Sequence, residues 1–318
     1  MKKVENKILI FWSQYNNFGD ELVPYLFQKV SALPFKYVHH ENYNAIDYLV
    51  NIIKCIGNII LFRNPRVFRF SMPGNSKIIL SIGSILNCSN ENSIVWGSGI
   101  IRRDDIIRGG DFRAVRGPLS RSRLVELGFN VPEIYGDPAL LLPLFYMPKN
   151  IPRDKIGILP HVVDYKYLYK KYATSKDIIL FNLHDPVEKI INSINRCKYI
   201  LSSSLHGLIV SHSYGIPALW IKLGDIGGDD IKFYDYFSSV GIRNYKPFFL
   251  DKFENIDDLF RENNEISTID NTRLLKIQCD LLTSVPFPIN KITEEIKQNL
   301  LRDLATSTKN SGVVTSKI

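Results

Sequence analysis

Short β-rich segments alternate with amphipathic helical segments along most of this chain, and this alternation restricts the fold more than any other feature. A strand, a helix and a second parallel strand in succession form one sheet with helices on its faces. The pattern therefore predicts an α/β fold. The chain has 318 residues, which is enough for two domains that each bury a core of their own.

The first half of the chain is predicted to hold four strands and two helices. The strands are expected at residues 7–12, 77–82, 94–96 and 112–116, and the helices at residues 20–31 and 118–127. Pro118 starts the second helix and Gly128 follows its end, which are the preferred positions of these residue types at helix termini. Four prolines then interrupt the alternation over residues 138–152, which predicts a linker or domain boundary.

The alternation restarts in the second half. Strands are expected at residues 155–159, 177–181, 199–201 and 218–221, with helices at residues 164–172, 186–196 and 205–214. Closing helices are expected near residues 256–263, 271–282 and 293–304. A frayed polar tail is expected over residues 307–318. We therefore predict two Rossmann-like, doubly wound domains, residues 1–148 and 149–318. Two such domains present the loops at the carboxyl ends of their strands to one cleft, where a ligand is expected.

Several features bear on the cellular location. The N-terminal apolar run is short and a glutamate already stands at position 5, so we expect no secretory signal. The most apolar stretch, residues 49–62, is interrupted by polar residues and is too short for a transmembrane helix. The cysteines lie far apart without a CxxC pair, which argues against zinc and against a disulfide framework: Cys55, Cys88, Cys197 and Cys279. We expect a cytoplasmic protein.

Basic residues are concentrated in one part of the chain. The formal net charge is +8, and residues 63–123 contain ten arginines and one lysine against four acidic residues. Such a stretch suits phosphate, carboxylate or anionic lipid headgroups, or forms a solvated basic surface. Nucleic acid is not expected as a partner, because the sequence has no zinc-finger spacing, no RNP-like aromatic motif and no basic helix with heptads.

The first candidate ligand loop is YNNFGDEL, which follows the first predicted strand and precedes a helix. Gly19 lets the backbone approach a ligand, and the N–H groups at the helix start favour an anion. Asn17 belongs to the same loop. Asp20 and Glu21 would repel a pyrophosphate and are better suited to sugar hydroxyls, while the alternative for Asp20 is simple helix capping.

Two predicted strands of the first half end in Gly-Ser, namely Gly83-Ser84 and Gly97-Ser98. Small residues at strand ends leave room for a ligand to reach backbone amides. Both pairs are therefore candidate substrate-binding residues. Taken singly, each pair is more consistent with a tight turn.

Arg116 and Asp137 are candidates from the end of the first half. Arg116 stands at the end of a predicted strand, directly before a helix, where a guanidinium can hold a carboxylate or phosphate with two hydrogen bonds. Asp137, in the motif YGDPALLLP, either contacts substrate or forms an Asx-type turn before the proline.

The most informative motif is SSSLHGLIVSHSYGIP, which joins a strand to a helix in the second half. His206 falls in the first turn of that helix, beside N–H groups that favour anions, and imidazole is suited to proton transfer near neutral pH. Ser203, Ser204 and Gly207 are expected to contact substrate beside it. No metal site is expected, because the other histidines show neither HExxH nor a spaced carboxylate partner: His39, His40, His161, His184 and His212.

In order along the chain, the segments NNFGDEL, IGSIL, VWGSGI, AVRGPLSRSRLVELG, YGDPALLLP and SSSLHGLIVSHSYGIPALWI resemble the motifs of the polysaccharide pyruvyl transferase family. The resemblance spans about residues 8–221, and its spacing and WGSG form are most similar to bacterial exopolysaccharide ketal-pyruvate transferases. It implies a two-domain fold like that of GT-B glycosyltransferases. Many relatives carry arginine directly before LHG, where this chain has Ser204. The donor contact is then expected from Arg116 or another arginine of residues 63–123.

The resemblance further implies transfer of pyruvate from phosphoenolpyruvate to a sugar of a surface polysaccharide or its lipid-linked precursor, as in exopolysaccharide or capsule synthesis. His206 is the expected acid or base and Arg116 the expected donor contact, with the first domain holding the acceptor and part of the donor. No cofactor and no metal are expected. The alternatives are a nucleotide-sugar glycosyltransferase and a non-catalytic component of polysaccharide assembly.

A lipid-linked acceptor would place the work of this protein at the inner face of the cytoplasmic membrane. The basic residues 63–123 would supply a salt-sensitive attraction to anionic lipid heads. Residues 49–62 would add an apolar contact if they form an amphipathic surface helix, and would not if they form a buried core helix.

Overall fold

The first half of the chain folds into a parallel sheet. The computed structural model describes residues 7–15, 17–38, 77–149, 152–224, 227–250, 256 and 268–312, with the backbone alone for residues 308–312. The strands are β1 (Ile8–Phe11), β2 (Phe35–Tyr37), β3 (Ile78–Leu80), β4 (Ser93–Trp96) and β5 (Asp111–Ala114). Their spatial order is β2-β1-β3-β4-β5, and every pairing between them is parallel.

The second half forms a second parallel sheet. Its strands are β6 (Lys155–Leu159), β7 (Ile178–Leu180), β8 (Cys197–Ser202), β9 (Ala218–Lys222) and β10 (Phe248–Phe249), in the order β7-β6-β8-β9-β10. Counted within its own half, each sheet has the order 2-1-3-4-5. In such sheets the winding reverses beside the first strand, and ligands bind outside the carboxyl ends at that point. The predicted α/β class with two doubly wound sheets is confirmed.

Helices connect and cover the strands. They are α1 (Phe18–Val30), α2 (Pro118–Glu126), α3 (Tyr165–Tyr172), α4 (Val187–Ile194), α5 (Leu205–Ser213), α6 (Ile231–Val240), α7 (Asn271–Thr283) and α8 (Lys291–Gly312). Pro118 occupies the first turn of α2, as predicted. Outside α8, the predicted bounds of the described helices and strands agree with the observed ones to within two residues.

Some elements differ from the sequence-based expectation. The strands β2 and β10 are too short for a periodic pattern, and α6 is rich in aromatic residues, which are weak helix formers. None of the three was predicted. The backbone of α8 is helical to Gly312, beyond the end predicted at residue 304, and fraying of the polar tail stays a prediction. Residues 49–62 and most of the predicted helix 256–263 lie outside the described residues.

The proline-rich segment that was predicted as a linker is largely buried. Pro138–Leu144 is a 3-10 helix that packs against α5 and α7, and its leucines 140, 141 and 142 are fully buried. A linker would instead cross the surface. This segment is therefore part of the core, and the division at residues 148 and 149 stays a prediction.

One hydrophobic core contains residues of both sheets, including Trp96 of β4 and Leu219 of β9. The C-terminal helices return to the first half, where the Trp96 indole donates a hydrogen bond to the Leu281 carbonyl of α7 at 3.0 Å. The start of α8 meets the end of α1 through a 3.3 Å hydrogen bond from Thr293 to the Val30 carbonyl. Within the described part of the chain, no helix is both long and apolar enough to cross a membrane.

Candidate active site

His206 lies where the carboxyl ends of both sheets meet. It is the second residue of α5, which follows β8, and its imidazole packs against Gly19 in the first turn of α1. A Cβ added at Gly19 would lie 2.2 Å from Nδ1 of His206. Only glycine leaves room for the ring at this distance. The space that Gly19 was expected to leave for a ligand is therefore occupied by the His206 side chain.

The loop before α1 is held by its own polar side chains. Asn17 caps the helix, and its Oδ1 accepts a hydrogen bond from the Asp20 backbone N–H at 3.3 Å. The Asp20 carboxylate accepts from Asn17 Nδ2 at 2.7 Å and from the Tyr15 N–H at 3.0 Å. Burial raises the pKa of Asp20 to about 6. The helix cap is thus Asn17, while Asp20 closes the loop and Glu21 is exposed.

The two Gly-Ser turns pack against each other. Ser98 is fully buried, and its hydroxyl donates to the Gly83 carbonyl at 2.8 Å. Gly97 has a φ of +88°, and a Cβ there would lie 2.2 Å from the Pro138 ring. These contacts favour the structural interpretation of Gly83, Gly97 and Ser98, which build the ends of β3 and β4.

Arg116 is fully buried and its guanidinium already has protein partners. Nε donates to Asp235 of α6 at 3.0 Å, and that carboxylate is also fully buried. Nη1 donates to the Ser84 hydroxyl at 2.6 Å, and Nη2 donates to the Ile100 carbonyl at 2.7 Å. Asp235 also accepts from the N–H and hydroxyl of Ser120 at 2.9 and 2.6 Å. Arg116 therefore joins the first half to α6. Its guanidinium does not present the two free N–H groups that we expected to bind the donor.

The other arginines of residues 63–123 divide into two groups within the described part of the chain. Four are exposed: Arg102, Arg103, Arg108 and Arg113. Arg121 and Arg123 are half-buried in α2 and contact backbone carbonyls. Arg63, Arg66 and Arg69 lie outside the described residues.

Asp137 both caps a helix and faces His206. The residue is fully buried, and its Oδ1 accepts from the Ala139 N–H at 2.9 Å at the start of the 3-10 helix. Its Oδ2 lies 3.9 Å from Nε2 of His206, and neither atom has a hydrogen-bond partner among the described residues. Burial raises the pKa of Asp137 to about 6, partly opposed by the Ala139 N–H and the charge of Arg116.

The surroundings of His206 favour the neutral imidazole. Its side chain is 18% exposed. Burial first, and then the charges of Arg116 and Lys232, lower the pKa of His206 to about 3. The ring is therefore neutral at pH 7 in the ligand-free protein. An anion beside the ring would raise this pKa, because an opposite charge stabilises the protonated form.

The loop between β8 and α5 is fixed by hydrogen bonds of Ser203. This serine is almost fully buried, and its hydroxyl donates to Asp164 at 2.6 Å and accepts from the His161 N–H at 2.8 Å. Both bonds join the carboxyl end of β8 to that of β6. Ser203, predicted as a substrate contact, therefore has a positioning role in the geometry.

Gly207 and Ser204 occupy the first turn of α5 and its N-cap. A Cβ at Gly207 would lie 2.2 Å from the Ser202 hydroxyl, so glycine allows α5 to approach the end of β8 closely. Ser204 precedes the helix without a side-chain capping bond and is half-buried.

Lys232 and His161 also reach this region, and sequence reasoning did not select them. Lys232 lies in the first turn of α6, and its charge lowers the pKa of both His206 and His161. His161 follows β6, the strand beside the reversal point of the second sheet. That position was a usable signal for His161. Lys232 gave none, because α6 itself was not predicted.

The site combines positive charge with a buried imidazole and a buried carboxyl group that face each other. The charge of Lys232 favours an anion beside His206, and Oδ2 of Asp137 faces Nε2 of the same ring at 3.9 Å. Among the described residues, no group of three or more His, Cys, Asp or Glu side chains is placed to hold a metal ion. The arrangement is suited to binding an anion beside the His206 ring.

Comparison with known proteins agrees with this class of site. The family model described as polysaccharide pyruvyl transferase matches residues 17–224. The chain belongs to this family, as its motifs predict. It is also 31% identical over 213 residues to an uncharacterised protein of Acanthamoeba polyphaga mimivirus. The aligned residues cover 64% of this chain and 72% of that protein. Membership of a transferase family supports a pyruvyl-transfer role in polysaccharide synthesis.

Proposed function

We propose that this protein transfers pyruvate from phosphoenolpyruvate to two hydroxyls of one sugar, with His206 as the general acid. The observation that carries the proposal is the placement of His206 at the carboxyl ends of both sheets, with Nε2 3.9 Å from the unpaired Oδ2 of Asp137. Family membership supports the pyruvyl chemistry and a polysaccharide acceptor.

The reaction needs one proton donor and one anion site. Protonation of C3 of phosphoenolpyruvate develops positive charge at C2, where a sugar hydroxyl adds and loses its proton. Phosphate then leaves C2 with its bonding electrons, and a second hydroxyl closes the ketal and gives its proton to the phosphate. The products are a pyruvate ketal and inorganic phosphate. His206 supplies the proton to C3 and receives the proton of the first hydroxyl.

Donor binding itself prepares His206 for this role. The neutral ring of the ligand-free protein cannot act as an acid, because its pKa is about 3. A donor carrying phosphate and carboxylate charges raises that pKa when it lies beside the ring. Asp137, whose pKa is about 6, faces Nε2 and stabilises the imidazolium once it forms.

We also propose that the acceptor lies along α1, on the side of the exposed Glu21. A groove of about 560 Å³ runs between α1 and the loop before α4, within the size range of ligand sites. Its lining mixes aromatic and polar side chains, which suits sugar rings and hydroxyls: Glu21, Tyr25, Gln28, Phe35, His184 and Glu188. Residues 21–35 of the first half and residues 183–188 of the second half line this groove, and the expectation that the first domain holds the acceptor stays a prediction.

A GT-B arrangement of the two halves is part of the proposal. It is supported by two sheets with the same strand order and by the return of α7 and α8 to the first half. Work at the inner membrane face and a cytoplasmic location stay predictions from the sequence.

The direct test is incubation with phosphoenolpyruvate and a lipid-linked oligosaccharide or polysaccharide acceptor, measuring released phosphate and the ketal methyl signal by NMR. We expect both products from the wild-type protein and neither from His206→Asn. The exposed Lys170 of α3 lies outside the proposed site and provides the control, so Lys170→Met should keep the fold and the phosphate release. Turnover of nucleotide sugars instead would support a glycosyltransferase, and wild-type activity in folded His206→Asn would remove His206 from the mechanism.

A further inference from the structure

Exposed apolar side chains are concentrated on one short segment of the second half. After β6, the chain forms a 3-10 turn, Val162–Asp164, and continues directly into α3. Twelve large hydrophobic side chains are exposed among the described residues, and four of them belong to this turn and helix: Val162, Val163, Tyr167 and Tyr169. Single exposed apolar residues are normal, whereas a cluster of them marks an interaction surface.

Helical spacing places part of this cluster on one face. Leu168 is fully buried in the core and so fixes which side of α3 faces inward. Val163 is 68% exposed and Tyr167, four positions later, is 55% exposed. Lys171 follows after four more positions and is also exposed. Residues at this spacing are neighbours on a helix, so these three side chains form a stripe on the outer face.

The same surface is positively charged. Helix α3 contains three exposed lysines, Lys166, Lys170 and Lys171, and no acidic residue. Asp164 of the preceding turn is buried, where its carboxylate accepts a hydrogen bond from Ser203 at 2.6 Å. Within the described part of the chain, none of the three ammonium groups forms an ion pair. Their charge is therefore available to a partner.

This combination of side chains fits an anionic bilayer. Valine and tyrosine side chains enter the headgroup region, where tyrosine is enriched, and lysines beside them attract anionic lipids. A polysaccharide fits less well, because sugar hydroxyls are recognised by carboxylate and amide side chains as well as by aromatic rings. The sequence of α3 has no Asp, Glu, Asn or Gln.

The segment also adjoins the loop that carries His206. The Ser203 hydroxyl accepts from the His161 N–H at 2.8 Å and donates to Asp164 at 2.6 Å, so the turn before α3 is bonded to the carboxyl end of β8. Helix α3 itself packs against β7, the edge strand of the second sheet. A bilayer in contact with this segment would therefore lie beside the candidate active site.

We propose that residues 162–172 form a docking surface that binds this protein to an anionic membrane. The docking surface supplies the apolar contact that the sequence analysis assigned to residues 49–62, and it adds three lysines to the basic residues of the first half. Its use, which is access to a lipid-linked acceptor, rests on the proposed function. Vesicle binding itself does not depend on turnover.

The apolar part of the docking surface is tested by sedimentation with vesicles of phosphatidylcholine alone or mixed with phosphatidylglycerol. We expect Val163→Ser with Tyr167→Ser to weaken binding to the mixed vesicles at least tenfold, because burying one such side chain accounts for about a factor of ten. Ile292→Ser is the matched control, since Ile292 of α8 is 66% exposed, and it should bind like the wild type. Circular dichroism checks that each variant is folded.

The charged part is tested with Lys166→Gln and Lys171→Gln combined. At low salt, each lysine should account for about a fivefold loss of affinity for the mixed vesicles, and the salt dependence of binding should decrease. Lys291→Gln with Lys297→Gln on α8 is the matched double variant and should change the affinity little. With the acceptor in detergent solution, the docking variants should release phosphate at the wild-type rate, because they lie outside the candidate active site.

Direct contact with lipid is read out by Tyr167→Trp. Brominated phospholipids in the mixed vesicles should quench the emission of this added tryptophan beyond the quenching seen in the wild type. Unchanged vesicle affinity in folded Val163→Ser with Tyr167→Ser would overturn the inference, and so would a wild type that binds no vesicles. Loss of polysaccharide binding in that variant, without loss of vesicle binding, would assign the surface to the glycan instead. Vesicle binding through residues 162–172 by a protein that never turns over phosphoenolpyruvate would refute the proposed function and leave the docking surface standing.

Discussion

Replacing Arg116 by methionine tests whether the residue is structural, as the geometry indicates. The change leaves the Asp235 carboxylate fully buried with only the two bonds from Ser120. Removing one partner of a buried ion pair costs about 3–5 kcal/mol. With an unfolding entropy of about 2.1 cal/mol/K per residue, a chain of 318 residues loses about 1.5 °C of melting temperature per kcal/mol. We therefore expect the melting temperature of Arg116→Met to fall by about 5–8 °C.

The assay is thermal unfolding followed by circular dichroism, with Arg113→Met as the matched control because Arg113 is exposed. The double variant Arg116→Met with Asp235→Leu removes both charges, so it should be clearly more stable than the sum of the two single changes predicts. A melting temperature of Arg116→Met within about 1 °C of the wild type would refute the reasoning. On the scale of about 1.5 °C per kcal/mol, such a shift corresponds to less than 1 kcal/mol. Loss of phosphoenolpyruvate affinity at unchanged stability would instead restore Arg116 as the donor contact.

Three further predictions follow from the site and the charge distribution. Gly19→Ala places a methyl group 2.2 Å from Nδ1 of His206, so the ring must move. We expect a folded protein whose turnover is reduced by about a hundredfold. Gly227→Ala is the control and should keep the wild-type turnover, because its added Cβ meets no atom within 4 Å. The pKa of Lys232 is about 8, so its charge is present below that pH and lost above it. The affinity for phosphoenolpyruvate, measured by calorimetry, should therefore fall as the pH rises through 8. Binding near that pH should take up protons. The basic stretch, with four exposed arginines described, should give reversible flotation with anionic vesicles that disappears at high salt; equal, negligible binding to neutral and anionic vesicles would contradict a membrane role.

The sequence by itself determined the α/β class, the position of most strands and helices, and the loop that carries His206. These features are local. Apolar periodicity reports which face of a segment is buried, and proline, glycine and small residues mark where segments begin and end. The His206 motif could be selected because a polar loop between a strand and a helix is recognisable within a few residues of sequence.

Only the tertiary structure decided what the candidate side chains contact. Arg116 and Asp235 are 119 positions apart in the chain, and nothing near either one indicates that they form a buried pair. Gly19 and His206 meet because α1 and α5 begin at the facing edges of two different sheets, so a glycine that looked open to a ligand packs against a ring. Lys232 belongs to α6, which was not predicted because its sequence is rich in aromatic residues. Partner choice depends on how the two sheets pack, which is a property of the whole chain that no short window of sequence contains.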